Sequence, residues 1–169
     1  MNEKKSLLLN GLLFTEEEMR KRTEEILEKN FGRIIEKSRV IPFTYSSYYE
    51  KEMGKGIKRL WVVHEGIREI ENIAQVKMVT RKLEERFSKE GKRRVNIDPG
   101  LLYLGSLVLL STKHAPHRIY LGDGVWAELT LVFENRSFQT LPWTYPDYRD
   151  HIDFFNKIRK LFKEILRCL

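Results

Sequence analysis

The chain has 169 residues, of which 41% are hydrophobic and 33% are charged, and its formal net charge is +7. This composition excludes a disordered chain, and the first apolar run, residues 7–14, is too short to span a membrane, so we predict a soluble globular protein without a signal peptide. Its one cysteine, Cys168, favours a reducing cytoplasm, and the mixing of basic with acidic residues is typical of a solvated surface rather than of a nucleic-acid footprint.

The first 97 residues are predicted to alternate strands with helices. Four segments have the composition of strands, at residues 7–14, 34–43, 58–65 and 93–97. Two segments with apolar residues at helical spacing separate them, at residues 19–31 and 73–87. The resulting order, β-α-β-β-α-β, is that of ferredoxin-like folds. We therefore predict an α+β fold with a ferredoxin-like core over residues 1–97.

Residues 98–169 are predicted to extend this core within a single domain, because no linker or repeat interrupts the chain. Asp98-Pro99 has the pattern of a helix start, and the apolar residues 101–110 predict a buried helix, although a strand fits them almost as well. Two strand-like segments then flank Gly122-Asp123-Gly124, which indicates a hairpin. A final helix begins near Asp150. The expected extension is helix–β-hairpin–helix.

The hairpin sequence predicts which side chains meet across it. A three-residue closure at residues 122–124 places Arg118 opposite Glu128 and Tyr120 opposite Trp126, whereas a two-residue closure would place a charge on the apolar side. One face then presents these four side chains together with Thr130, and the other face is expected to be core. Two interpretations stay open: an exposed ion pair beside an aromatic pair, or a platform where Arg118 binds an anion and the rings stack on a planar group.

Polar residues around this hairpin are the candidates for a functional site. We expect Lys113 and Arg118 to bind an anion, with Glu128 beside them. His117 is a candidate general acid or base, with Asp98 to orient it, although a histidine in such a place is more often hydrogen-bonded only to the backbone. His114 and His117 are three residues apart, but no nearby thiol or carboxylate completes a ligand set, so no metal site is predicted.

Several motifs resemble one known family. They are Tyr48–Gly54, Asn96–Gly100, Thr112-Lys113, His117–Leu121 and Pro142–Tyr148. Together they are similar to an uncharacterised prokaryotic family known only as a domain of unknown function, whose members often carry the label "GTP-binding protein". The resemblance spans nearly the whole chain and implies no established site residues. The many Lys, Arg and Glu residues also favour a heat-loving source.

The GTP label finds no support in the residues themselves. A phosphate loop ends in Gly-Lys-Ser/Thr, but Gly91-Lys92 is followed by Arg93, and no Asn-Lys-x-Asp sequence is present to bind guanine. We therefore expect binding, with turnover left open, of a small anionic ligand such as a nucleotide or a phosphorylated or carboxylated metabolite; no cofactor is indicated. The alternatives are an RNA-binding module that uses an open sheet face and an interaction protein that forms a homo-oligomer.

Overall fold

A computed structural model describes residues 4–69 and 71–169, and it shows an α+β protein built on one antiparallel sheet of nine strands in those residues. The strands are β1 Lys5–Phe14, β2 Ile34–Lys37, β3 Ile41–Pro42, β4 Lys58–Glu69, β5 Val95–Leu102, β6 Ser106–Ser111, β7 Arg118–Gly122, β8 Val125–Glu134 and β9 Ser137–Thr140. The helices are α1 Glu17–Phe31, α2 Glu50–Met53, α3 Ile73–Phe87, α4 Pro146–Arg149 and α5 Ile152–Arg167. None of these helices is long and apolar enough to cross a membrane.

Helices cover both faces of the central strands, which explains why those strands are apolar throughout. Nine consecutive residues of β1 are buried. Since side chains alternate along a strand, Leu8 and Leu12 pack in the cluster beneath α1 and α3, whereas Leu7 and Leu9 pack in the cluster with α5. Trp61 of β4 is fully buried on the α5 side. The sheet is therefore the middle layer of three.

The elements predicted for the first 97 residues are confirmed, with adjusted ends. Their strands lie in the order β2-β4-β1-β5, every pair antiparallel. The predicted second strand divides into β2 and β3, because residues 38–40 between them are not in a strand, although Ser38 still bonds Trp61 of β4. The connection at residues 45–54 contains one helical turn, α2.

The helix predicted over residues 101–110 is wrong. Strand β5 continues to Leu102, and β6 returns from Ser106, so that Leu102 pairs with Leu107 and Gly100 with Leu109. A run of apolar residues carries no periodicity that separates a buried helix from a strand, and here Gly105 lies in a reversal rather than in a helix. Asp98 accordingly lies within a strand instead of capping a helix. The extension also contains β9 and α4, which were not predicted.

The hairpin has the predicted register but a different closure. Arg118 pairs with Glu128 and Tyr120 with Trp126, but Gly122, not Leu121, pairs with Val125 across a bulge. The turn consists of two residues, Asp123 and Gly124, both with positive φ (53° and 74°), as a two-residue hairpin turn requires. The bulge restores the register that a two-residue loop alone would have lost.

The burial of the hairpin differs from the prediction on both faces, although Tyr120 is exposed and Val125 is buried as predicted. Glu128 is buried, with 1% of its surface exposed, whereas Ile119, which was expected in the core, is 72% exposed. Strand β7 is the last strand of the sheet path. The layer of α1 and α3 lies over the central strands, so it does not reach the side of β7 on which Ile119 lies. The Arg118–Glu128 ion pair, which one interpretation of the sequence placed on an exposed face, is instead buried.

Candidate functional site

The sheet opens between β5 and β6, and a cavity of about 330 Å³ occupies the opening. In the described part of the chain, these two strands pair only from Gly100 to Leu102. Before Gly100, the free side of β5 has no strand beside it, while Leu110 and Ser111 of β6 turn away with β8. The cavity is lined by residues of β4, β5, β6, β7 and β8, by α3, and by the segments around α2 and α4.

Side chains of α3 bind the free edge of β5. The Glu84 carboxylate accepts a hydrogen bond from the Ile97 N–H at 2.8 Å, and the Lys77 ammonium donates to the Ile97 carbonyl at 3.2 Å. Buried backbone groups need such partners where no strand supplies them. Burial raises the pKa of Glu84, against the opposing effects of Lys77 and the Ile97 N–H. The same contact places Lys77 at the floor of the cavity, the part that is lined by Arg59, Lys77, Asp98 and Asp147.

Arg59 joins two carboxylates at the cavity floor. Its Nη1 lies 3.1 Å from Asp98 Oδ2, and its Nε lies 2.9 Å from Asp147 Oδ2. Burial alone would raise the pKa of Asp98, but the charges of Arg59 and Lys77, with a hydrogen bond from Asn96, lower it below its ordinary value. Asp98 is therefore held as a carboxylate, and strands β4 and β5 are tied to α4.

Aromatic rings enclose the guanidinium of Arg59. Its Cζ lies 5.6 Å from the ring centres of Phe43 and Trp61 and 5.8 Å from that of Tyr148, within the range of cation–π attraction. Gly11 of β1 makes this packing possible, because a Cβ there would lie 2.9 Å from Arg59 Nη1 and 3.0 Å from the Tyr148 hydroxyl. Burial raises the pKa of that hydroxyl, against the effect of Arg59.

Arg118 organises the part of the cavity opposite the floor, here called the wall, which is lined by Ser111, Lys113, Arg118, Glu128 and Tyr145. Its Nε donates to Glu128 at 2.8 Å, its Nη1 to Ser111 Oγ at 3.1 Å and to the Lys113 carbonyl at 2.7 Å, and its Nη2 to the Tyr145 hydroxyl at 2.8 Å. Four of its five N–H groups are thus used within the protein. Arg118 fixes the loop that carries Lys113 and leaves only one donor for a ligand.

Lys113 lies at the rim of the cavity with an aromatic partner. Its Nζ donates to the Tyr48 hydroxyl at 3.1 Å and lies 4.7 Å from the centre of that ring. The hydrogen bond from Lys113 lowers the pKa of Tyr48. Within residues 4–69 and 71–169, no carboxylate oxygen lies within 4 Å of this ammonium group. The guanidinium groups of Arg59 and Arg118, by contrast, each lie within 4 Å of a carboxylate oxygen.

The structure brings four of the seven predicted site residues to the cavity: Asp98, Lys113, Arg118 and Glu128. His117 is not among the lining residues; its Nε2 donates to Glu128 at 2.9 Å, and its ring stacks on Trp143 with centres 4.8 Å apart. The predicted contact between His117 and Asp98 is not formed, because Asp98 bonds Arg59 and Asn96 instead.

The predicted aromatic platform lies away from the cavity. Tyr120 and Trp126 contact each other with ring centres 5.0 Å apart, and Trp126 also packs against His114. Neither ring lines the opening. Tyrosines from the connections around α2 and α4 take their place there, namely Tyr45, Tyr48, Tyr49, Tyr145 and Tyr148.

Sequence reasoning missed Arg59, Lys77 and Asp147 as site residues. Two signals were available. Arg59 alternates with Trp61 in a strand that is apolar on both faces, and Lys77 follows Ile73 by one turn on the buried side of α3. Such buried charges require partners, so each indicated carboxylates nearby. The identity of those partners depended on contacts between residues 39 and 88 positions apart.

Comparison with known proteins gives one match. A family model described as "Domain of unknown function (DUF4416)" matches residues 4–162. No curated protein and no solved structure matches the chain. The predicted resemblance to an uncharacterised family is therefore confirmed.

Proposed function

Since the chain belongs to the DUF4416 family of unknown function, we propose its function from the cavity: it binds a small anionic ligand there, with Lys113 as the principal contact of the anionic group. The observation that carries this proposal is the excess positive charge of the lining. Small-molecule sites combine a concave, partly apolar surface with a few polar groups, and a volume of about 330 Å³ is sufficient for a metabolite.

The charges of the lining residues support an anion. Four lining side chains are cationic, Arg59, Lys77, Lys113 and Arg118, and three are acidic, Asp98, Glu128 and Asp147. Arg59 and Arg118 contact all three of the carboxylates, and Lys77 lies over the floor beside Asp98. One positive charge at the rim, that of Lys113, has no carboxylate within 4 Å among the residues that the structure describes. An anion would supply one.

The expected roles of the other residues change accordingly. We infer that Arg118 and Glu128 position the Lys113 loop rather than contact the ligand, because most of their hydrogen bonds are internal. Stacking falls to the tyrosines of the cavity instead of Tyr120 and Trp126. Because Asp98 is held as an anion and His117 lies outside the lining, the geometry favours binding over proton transfer.

The topology supports a ferredoxin-like interpretation of the core. We infer this arrangement because the units β1-α1-β2 and β4-α3-β5 interleave to the order β2-β4-β1-β5, with α1 and α3 on one face. The second face, which RNA-binding members of such folds use, is covered here. Trp61 and Val63 are fully buried in the cluster with α5, which weighs against the RNA-binding alternative.

Ligand-induced shifts of the melting temperature test the proposal. A ligand at a hundred times its Kd stabilises a protein by about 2.7 kcal/mol, or roughly 5–10 °C in Tm for a chain of this size. The panel comprises nucleotides, sugar phosphates and acidic metabolites, with wild type, Lys113→Met and the matched control Lys163→Met on the exposed side of α5. We expect shifts in wild type and the control that decrease in Lys113→Met. Shifts equal in all three proteins, or absent throughout, would reject the proposal.

A further inference from the structure

We infer that the ligand carries hydroxyl groups at the end opposite its anionic group, and that Asp98 accepts a hydrogen bond from one of them. The ligand class is therefore a hydroxylated small anion, such as a sugar phosphate or a sugar acid. This inference rests on the proposed function, because Lys113 at the rim defines the anionic end. It specifies which functional groups of the ligand the floor of the same cavity would bind.

The two oxygens of Asp98 differ in their contacts. Oδ2 accepts hydrogen bonds from Arg59 at 3.1 Å and from Asn96 at 2.8 Å. No hydrogen bond from a described residue reaches Oδ1, although 28% of the side-chain surface is accessible and the residue lines the cavity. A carboxylate oxygen can accept two hydrogen bonds, so Oδ1 is an unused acceptor on a side chain that lines the ligand space.

The donor that approaches Asp98 should be uncharged. Among the lining residues at the floor, Arg59 and Lys77 contribute two positive charges, and Asp98 and Asp147 contribute two negative charges, so the lining there has no excess of negative charge. A ligand ammonium group would add a charge beside Lys77 and Arg59, and repulsion between like charges in a poorly solvated cavity is strong. A neutral O–H group has no such cost.

The neighbouring tyrosines favour a hydroxyl over a carbonyl or a methyl group. The Tyr145 oxygen accepts a hydrogen bond from Arg118, which leaves its own O–H to donate. Tyr49 lines the same cavity, and no hydrogen bond from the described residues occupies its hydroxyl. Burial raises the pKa of both phenols, so both remain donors. A carbonyl would leave Asp98 without a donor, whereas a hydroxyl both donates and accepts.

Paired probes that differ only in their hydroxyl groups test this inference by calorimetry. Ribose 5-phosphate is compared with tetrahydrofurfuryl phosphate, and gluconate with hexanoate, each against wild type and Asp98→Asn. A site built to bond a hydroxyl rejects the analogue that lacks it, so in at least one pair we expect wild type to prefer the hydroxylated member by about tenfold or more. The ratio of the affinities for the two members of that pair should fall towards one in Asp98→Asn.

The outcomes separate this inference from the proposed function. If wild type binds none of these probes and no anion of the melting-temperature panel, the proposed function fails. If it binds both members of each pair equally, only the present inference is overturned. A preference that persists undiminished in folded Asp98→Asn also overturns it. Should Asp98→Asn fail to fold, Tyr49→Phe provides the second variant, for which we expect a smaller decrease of the same ratio.

Discussion

The two arginines of the cavity are bound in different ways. Arg59 contacts two carboxylates and lies among three aromatic rings, with 5% of its side chain exposed. Arg118 contacts one carboxylate, and its other acceptors are two hydroxyls and a backbone carbonyl. The first centre joins strands to α4, whereas the second fixes a loop. Arg59 should therefore determine stability, and Arg118 the position of Lys113.

The comparison also explains where ligand charge can be accommodated. Two acidic partners leave no positive charge at Arg59 for a ligand, and Glu128 compensates that of Arg118. Both arginine charges are thus compensated within the protein, and the charge left for a ligand is that of Lys113. An arginine in a cavity is often taken to be the anion site, but here the charge of each arginine is already compensated by a carboxylate in contact with it.

The largest effect is expected from Arg59→Leu. Removing this guanidinium takes away the cation that contacts both Asp98 and Asp147, and breaking a buried pair in this way costs about 3–5 kcal/mol. Urea unfolding measures the loss. The matched control is Arg33→Leu, because Arg33 is 72% exposed in its pair with Glu65 and should contribute less than about 1 kcal/mol. Equal losses in the two variants would show that Arg59 does not hold the fold together.

Gly11→Ala should have the next largest effect. The added Cβ would meet Arg59 and Tyr148 at 3.0 Å or less, and both side chains are fixed by their packing. Overpacking of this kind costs about 1–3 kcal/mol. Gly105→Ala is the control, since nothing lies within 4 Å of its Cβ position. If both variants unfold at the same urea concentration, Arg59 and Tyr148 are free to move, and the contrast with Arg118 weakens.

Local patterns were sufficient to predict part of this molecule. Helical spacing located α1 and α3, and the glycines around Asp123 gave the register that brings Arg118 to Glu128. Local patterns could not decide between helix and strand for residues 101–110, because a strand buried on both faces has no polar side. That ambiguity hid the separation of β5 from β6, and with it the cavity.

The candidate site was predictable only where its residues are close in sequence. Arg118 and Glu128 face each other across a hairpin, so register alone joined them. Asp98 was assigned to His117 because both are polar and near in the chain, but its partner Arg59 comes from a strand 39 residues away. The exposure of Ile119 likewise depends on how far the helices extend across the sheet, and no local pattern contains that information.

The pH dependence of stability provides a finer test of the floor. Arg59 and Lys77 keep the pKa of folded Asp98 below its ordinary value, so in acid the unfolded chain binds this proton first. The contribution of Asp98 is thus complete above the ordinary pKa of about 3.9 and is lost as pH falls through the folded value. Unfolding of wild type and Asp98→Asn should therefore converge in free energy as pH falls from about 5 to about 2. Glu84 is present in both proteins, but the charge of Asp98 contributes to its raised pKa, so the comparison is made in a Glu84→Gln background. A difference that grows in acid would contradict this assignment.

The smallest effect is expected from His117→Gln, which tests the wall. His117 donates to the carboxylate that Arg118 also contacts, and it is 24% exposed, whereas Arg118 is 8% exposed. Because Glu128 retains Arg118 as a donor, the loss should be about 0.5–1.5 kcal/mol, the usual contribution of one hydrogen bond. His117 does not line the cavity. An anion whose Tm shift decreases in Lys113→Met should therefore produce the same shift in His117→Gln as in wild type. A variant that keeps its stability but loses this shift would place the imidazole in the ligand site, and the wall would then do more than position Lys113.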